Sequence, residues 1–477
     1  MSERIVVFAE RVVTGGRSRP LLVGPAQLVI AGGRFESVEP MSRDEFDERV
    51  PGNGEQVVDL GDMLVSPAFI NGHTHLPMAA YRGIGGSEAM QGNVIEDVYY
   101  RIESSLTEDD VRAFTRLGAY ESLLAGVGTV WDHYYFGKAV AEGMADVGLT
   151  GVVAPTLQDL AGPGIPHCQT QLDVTLEIAG DQRLAEQGIV AALGPHASDT
   201  VSDQLWQQVY KTAVDHELPF HAHVAQSIEE YRRSIERFGK SPLARLHEIG
   251  VLDDVPHAVL VHGIYVSDKD LDFLDRDNHT LGFCPYSQLQ FVFPAQVNAW
   301  TDAGLKWLVA TDCAASNDTM NVQQELRLVA GLRMTPTTAS LEYDRFRRTG
   351  ETDAAEAVHR HRQADFDRYQ QMSDPGFLLS RIWSIPGDMH PRLPAGVLES
   401  GALANLVVWD PGHPALWPCR DPLRSLVMCD AAPAIHGMLV NGEWIGTRGR
   451  FHESLLEGDY GEALKEANRR LQLLGLA

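Results

Sequence analysis

Four short apolar runs, spread over about 240 positions, each end in side chains that bind metals, and this pattern restricts what the chain can fold into. His73-Thr74-His75 follow Met63–Ile70, His223 follows Leu218–Ala222, His262 follows Ala258–Val261, and Asp312 follows Trp307–Thr311. Each run is short, continuous and rich in β-formers, as expected of a strand buried on both faces of a parallel sheet. When such strands close into a barrel, the residues at their C-terminal ends converge on one mouth. Imidazoles and a carboxylate gathered there suit zinc or iron, with one position left for water. The pattern predicts a hydrolytic metalloenzyme.

Composition sets the outer limits. The chain has 477 residues, 44% hydrophobic and 22% charged, enough for a large core and a second lobe. Its 65 acidic and 39 basic residues leave a formal charge of −26, which repels nucleic acid and anionic membranes. The five cysteines (Cys168, Cys284, Cys313, Cys419, Cys429) are few and far apart, fitting a reducing compartment and no disulfide framework. Neither a signal-type N-terminal run nor an apolar stretch near the ~20 residues of a membrane span is present. A cytoplasmic enzyme acting on a small molecule is expected.

The pattern of elements changes twice. Residues 1 to about 62 read as short strands (Arg4–Phe8, Leu21–Ile30, Gln56–Leu60) separated by glycine-bearing turns. Strand-like segments return at Ala404–Trp409, Ser425–Cys429 and Ile435–Gly446, the last with the hairpin signal Asn441-Gly442. Residues 1–62 and 395–450 therefore predict one small β-sandwich built from both termini. Between them, residues 63–394 alternate apolar strands with helical stretches such as Thr107–Leu124, Asp203–His216 and Ile228–Phe238, which means βα units and room for a (β/α)8 TIM-type barrel. Arg345–Asp374 reads as a solvated surface helix, and residues 451–477 as a C-terminal helix packing on the barrel.

His73 and His75 alternate along an extended backbone, so both can reach one ion, and Gly72 lets the backbone approach it closely. His221 and His223 form a second pair. With His223 as ligand, His221 falls one layer deeper, as a packed, hydrogen-bonded histidine. His262 could bind metal or polarise a substrate. Asp312 could bind metal and take a proton from its water, or cap the following helix.

Beyond these positions, Ser66-Pro67-Ala68-Phe69-Ile70-Asn71-Gly72-His73-Thr74-His75 resembles the opening signature of the amidohydrolase superfamily. The branch it resembles holds cytosine, guanine and S-adenosylhomocysteine deaminases and the triazine hydrolases. Similarity continues through Gly128–His133, Gly194–Ala197, Phe283–Ser287, Ala310–Asn317, Gly396–Gly401 and Ala404–Asp410. The resemblance implies a barrel with a β-sandwich lobe, a homodimer or larger assembly, and one divalent metal per chain, Zn2+ or alternatively Fe2+. By it, His73, His75, His223 and Asp312 are the metal ligands, with Asp312 and His262 catalytic. His196 and Arg82 match positions that face substrate, and His133 is a further pocket residue.

One departure alters the expected chemistry. Deaminases of this branch carry a proton-shuttling glutamate three residues after the third histidine, where this chain has Gln226. An amide only donates and accepts hydrogen bonds, and acid–base help of this kind is worth about 10²–10⁴-fold. Gln226 is therefore expected to bind substrate. Glu229 and Glu230 lie further along the following helix. Ser287-Gln288 and Ser198-Asp199 also depart from the usual pattern. The expected activity is hydrolysis of a C–N bond in a small heterocycle, the alternatives being ring opening, displacement of another leaving group such as chloride, or a non-catalytic binding role.

Overall fold

A computed structural model describes residues 4–17, 19–52, 54–84, 93–332 and 338–476. The central strands are β6 (Phe69–Thr74), β7 (Val127–Tyr134), β8 (Thr150–Leu157), β9 (Ile189–Ala191), β10 (Gly194–Pro195), β11 (Phe220–Val224), β12 (Ala258–His262), β13 (His279–Phe283) and β14 (Lys306–Val309). They form two parallel sheets, β6-β7-β8 with β9 and β10, and β11-β12-β13-β14. Parallel bridges join the sheets at both edges: Thr74 with Asp312 on one side, Leu193 with Phe220 and Ala197 with His223 on the other.

Period-2 alternation decides which side chains point inward. In β14, Trp307 and Val309 pack in the outer core against helices, while Leu308 and Ala310 join an inner cluster with Ile70, Trp131, Val152, Val259 and Val261. Burial of such a side chain stabilises by about 1.5–3 kcal/mol. The same alternation sends Phe220 and Ala222 outward and so His221 and His223 inward; Trp131 faces inward, and with it His133. The buried interior thus carries a column of histidines toward the C-terminal strand ends.

The terminal segments form one mixed eight-stranded sheet. It contains β1 (Arg4–Thr14), β2 (Leu22–Ala31), β3 (Arg34–Pro40), β4 (Glu55–Asp59), β5 (Leu64–Pro67), β15 (Leu406–Trp409), β16 (Ile435–Val440) and β17 (Glu443–Ile445). A bulge between Ala9 and Val12 divides β1: the first half pairs with β4, the second with β5. The sheet wraps its own core of Val7, Leu28, Phe35, Val65, Leu406 and Leu439. Asn441 and Gly442, with φ of 51° and 78°, make the expected β16–β17 hairpin.

Two strand readings are corrected. The run Met63–Ile70 is two strands, since β5 pairs with β1 and β15 whereas β6 enters the parallel sheet. Ser425–Cys429 is no strand: helix Pro422–Met428 occupies it, capped by the Asp421 side chain with proline in its first turn, and it buries Leu426 and Val427. Helices Glu108–Leu124, Asp203–His216 and Ile228–Phe238 form where expected, capped by Thr107, Ser202 and Ser227. The charged segment forms two helices, Leu341–Thr349 and Thr352–Arg368, with Ala354 their one fully buried side chain among the described residues. The C-terminal helix Asp459–Leu474 packs on Glu108–Leu124, where Arg470 bonds Asp110 at 3.0 Å. No helix among the described residues is long and apolar enough to cross a membrane.

Candidate active site

Hydrogen bonds at the β6–β14 junction set the site. The Asn71 amide donates to Thr311 Oγ1 at 2.7 Å, Thr311 N donates to Asn71 Oδ1 at 3.1 Å, and Asp312 N donates to the His73 carbonyl at 3.2 Å. A Cβ on Gly72 would stand 2.7 Å from Leu308 Cδ2, so a larger residue would have to displace the Leu308 side chain from the inner core. At the ends of their strands, Ala225, His262 and Asp312 have φ of 54°, 78° and 63°. A left-handed backbone costs about 1–3 kcal/mol per residue and re-aims the side chain, which is where functional sites store strain.

Five side chains converge. Asp312 Oδ1 lies 3.6 Å from His73 Nε2 and 3.3 Å from His75 Nε2. Ligand atoms of His73, His223 and His262 lie within 4.8 Å of one another, as do those of His73, His75 and Asp312. Three of the imidazoles are oriented through their other nitrogen. His73 Nδ1 is 2.8 Å from His221 Nε2, His223 Nδ1 is 2.9 Å from the His196 carbonyl, and His75 Nδ1 bonds the His133 carbonyl. Ser287 and Ser316 donate to Asp312 Oδ2 at 2.8 and 3.3 Å, so Oδ1 is the oxygen left toward the histidines. His73 Nε2 is buried without a hydrogen-bond partner. A buried lone pair, two further imidazoles with fixed tautomers and one carboxylate oxygen fit a divalent zinc-type ion.

Electrostatics agree with that donor set. Burial pushes His73 down to about 3, and it holds His221 and His223 well below the usual histidine range together with their neighbouring imidazoles. These rings are neutral, the form that binds metal. Burial works to raise Asp312, but the His73 and His75 rings beside it overcome this and keep the carboxyl well below the usual range. Burial lowers His75, yet Asp312 more than offsets this and raises it, so a cation entering here displaces a proton.

A cavity opens over these groups. His75, His133, His196, His223, Gln226, His262 and Asp312 all line it, and His73 lies buried directly against His75 and His223. His196 is held by Thr200 at 2.9 Å, while both ring nitrogens of His133 are without partners. Arg82 is not brought in: it is exposed and pairs with Glu121. Gln226 lines the cavity, and its backbone N–H donates to the buried Glu230 carboxyl at 2.8 Å. Glu230 also accepts from Ala225 N at 3.0 Å and Ser198 Oγ at 2.6 Å, so it clamps the loop from behind. His221, fully buried on His73, has the deeper hydrogen-bonded position expected of it.

Sequence reasoning missed three groups. Glu103 and its partner Tyr134 line the cavity, and Gln288 donates to the His262 carbonyl at 3.2 Å, securing that strained residue. Ser287-Gln288 stood out only as an altered motif. Glu103 carried no local signal beyond its neighbours Tyr99 and Tyr100.

The fold and this donor set define a class, and the family match agrees: the chain belongs to the amidohydrolase family, matched over residues 64–358. It is a hydrolase of that type, acting on carbon–nitrogen bonds. Among relatives, the 5-methylthioadenosine/S-adenosylhomocysteine deaminase of Thermococcus kodakarensis is 27% identical over 424 residues, covering 88% of this chain and 89% of the relative. The 5'-deoxyadenosine deaminase of Methanopyrus kandleri is 25% identical over 442 residues, covering 92% and 93%. Among solved structures, a zinc-bound adenosine deaminase from Xanthomonas campestris superposes with a TM-score of 0.80 at 20% identity, covering 99% of both chains. Atrazine chlorohydrolase from Arthrobacter aurescens, complexed with zinc, gives 0.76 at 20% identity, covering 98% of this chain and 99% of the other.

Proposed function

We propose that the protein is a metal-dependent hydrolase that removes an amino group from a small N-heterocycle, with a nucleoside-like aminopurine as the leading substrate class. In this reading the two joined parallel sheets (residues 63–394) are a (β/α)8 barrel, residues 1–62 and 395–450 a β-sandwich lobe, and residues 451–477 a helix docked on the barrel. His73, His75, His223 and Asp312 hold one divalent ion, for which zinc fits best. The observation that carries the proposal is that the free oxygen of Asp312 faces His73 and His75, with His223 grouped on His73, each of these three imidazoles being oriented through its second nitrogen beneath a tyrosine-rich cavity.

When bound, the ion supplies Lewis acidity and lowers the pKa of water to near 7. Asp312 takes the proton that water loses and returns it to the departing amine. His262, held by Gln288, hydrogen-bonds the oxygen entering the ring carbon. Gln226 and His196 hydrogen-bond ring nitrogens or substituents, and His133 offers unpartnered nitrogens to the same cavity. No lysine or arginine lines the cavity among the described residues, which favours uncharged rings over phosphorylated ones.

The test is ammonia release by zinc-loaded protein from 5'-deoxyadenosine, 5-methylthioadenosine, guanine and aminotriazines, with cyclic amides and chlorotriazines alongside. Turnover of an aminopurine at about one zinc per chain is expected. Release of chloride or ring opening without ammonia would favour the second reading, which Gln226 motivates because it cannot shuttle protons. Zinc-loaded protein inert to every compound would overturn both.

A further inference from the structure

Glu325 stands in the first turn of the helix Val322–Leu332 and is 2% exposed. Glutamate is almost never buried this deeply without a partner cation. The two hydrogen bonds this carboxyl accepts nevertheless come from neutral groups. Oε2 accepts the Tyr286 N–H at 2.9 Å, and Oε1 accepts the Asn317 amide at 3.0 Å. Tyr286 lies in the first turn of the helix Pro285–Phe291, which follows β13. Asn317 lies in the turn that follows Asp312, its own N–H on the Cys313 carbonyl at 3.0 Å. Since β13 and β14 are paired neighbours, one buried side chain ties together the segments that leave both strands.

Each tied segment carries a hydroxyl that reaches Asp312. Ser287, next to Tyr286, donates to Asp312 Oδ2 at 2.8 Å, and Ser316, next to Asn317, does so at 3.3 Å. The two hydroxyls are 2.9 Å apart. The Asn317 amide also donates to the Thr311 carbonyl at 2.8 Å, which fixes the turn to the residue before Asp312. From Glu325 to Oδ2 the path on each side is one hydrogen bond, one step of backbone and a second hydrogen bond.

We infer that Glu325 is a positioning residue of the active site: it seats Ser287 and Ser316 on Oδ2 of Asp312 and so leaves Oδ1 to His73 and His75. The inference rests on the metal-dependent hydrolytic reading, in which Asp312 both holds the ion and moves a proton. A carboxyl suits the task because each of its oxygens takes one N–H. An amide there offers one acceptor and one donor, so one of the two ties is lost. With either serine displaced, Oδ2 is no longer engaged and the Asp312 side chain is free to turn. A misplacement of about 1 Å in a reacting group is worth about 10²-fold in rate.

The test loads the full-length protein with zinc for activity and with cobalt(II) for its visible spectrum, which reports the donors around the ion. Glu325→Gln should lower kcat on an aminopurine nucleoside by about 10–100-fold, leave KM within about twofold, and shift the cobalt bands. Ser287→Ala should reproduce the kcat loss. The double variant should fall no more than about threefold below the worse single one, because both substitutions act through Oδ2. Asp270→Asn is the control: Asp270 is a 4% exposed carboxyl that accepts the Ser267 N–H at 2.8 Å, outside the cavity wall and the ligand cluster. It should lower the melting temperature and leave kcat and the cobalt spectrum as in the parent. Multiplication of the two losses in the double variant would overturn the inference, as would a Glu325→Gln whose spectrum matches that of the parent. If Glu325→Gln does not fold, Asn317→Ala removes the donor to Oε1 and should give the same shift and the same loss; an unmoved spectrum there would overturn the inference too. A parent that binds cobalt but releases no ammonia would refute the activity, while the spectra still decide the place of Glu325.

Discussion

Replacing His221 with phenylalanine tests the metal site without touching a proposed ligand. If His73 gives Nε2 to a metal, its proton sits on Nδ1 and is donated to His221 Nε2 across 2.8 Å. His221→Phe leaves that N–H buried without an acceptor, so the tautomer and ring orientation are no longer held. Loss of such an outer partner typically costs 10–100-fold in metal affinity, about 1.4–2.7 kcal/mol. An unsatisfied buried donor costs about 1–3 kcal/mol of stability. Here that loss is offset because His221 Nδ1, itself buried without a partner, disappears with the substitution. The metal-free protein should therefore lose only about 1 kcal/mol, whereas zinc binding loses more. Competition against a chromophoric chelator gives the zinc affinity, and melting with and without chelator gives the stability. His257→Phe is the control, since His257 is buried and bonded to Thr280 at 2.9 Å but lies outside the ligand cluster. Unchanged zinc affinity in folded His221→Phe would refute the assignment of His73.

Three further expectations come from the same geometry. Gln288→Ala should keep zinc but lower kcat by about 10²-fold, because His262 loses the donor at its carbonyl and a misplacement of 1 Å is worth that much; equal zinc content with unchanged kcat would remove His262 from the chemistry. Gly72→Ala forces a methyl to 2.7 Å from Leu308 Cδ2 and should cost about 1–3 kcal/mol in thermal unfolding, partly restored by Leu308→Val. Asp132, pushed up to about 7 by burial from an ordinary 3.8, binds its proton more tightly folded than unfolded. Its contribution is present in full below the unfolded value and is lost as pH rises to about 7, at most about 4 kcal/mol. Asp132→Asn should make the stability of the metal-free protein fall less steeply across that window, where Glu230 and Glu325 are likewise pushed up to about 7 by burial, and denaturant titrations at pH 4 to 8 that match the parent would count against it.

What the chain discloses about itself follows the range of the interactions involved. Strand ends bearing His73, His75, His223, His262 and Asp312 are legible because a strand buried on both faces needs a continuous apolar run, and the polar residue that ends it must be satisfied at the mouth. Helix starts at Thr107, Ser202 and Ser227 are legible for a similar reason, each cap being decided within four residues. Ser425–Cys429 reads as a strand in the sequence because five apolar-rich residues fit either period, and the Asp421-Pro422 cap, not the run itself, selects the helix. Glu103 is the opposite extreme. Tyr134 acts on it from β7, and Tyr81 bonds Tyr134 from the turn after β6, so its character exists only once those elements meet. The same holds for Glu230, which the sequence places only on the helix after Gln226 and which the fold makes a buried clamp on Ala225 and Gln226. Metal ligands must face inward from strands and so leave a periodic trace. Carboxyls whose ionisation is set by their surroundings leave none, and a single sequence therefore shows where an ion would sit more readily than which group moves the proton.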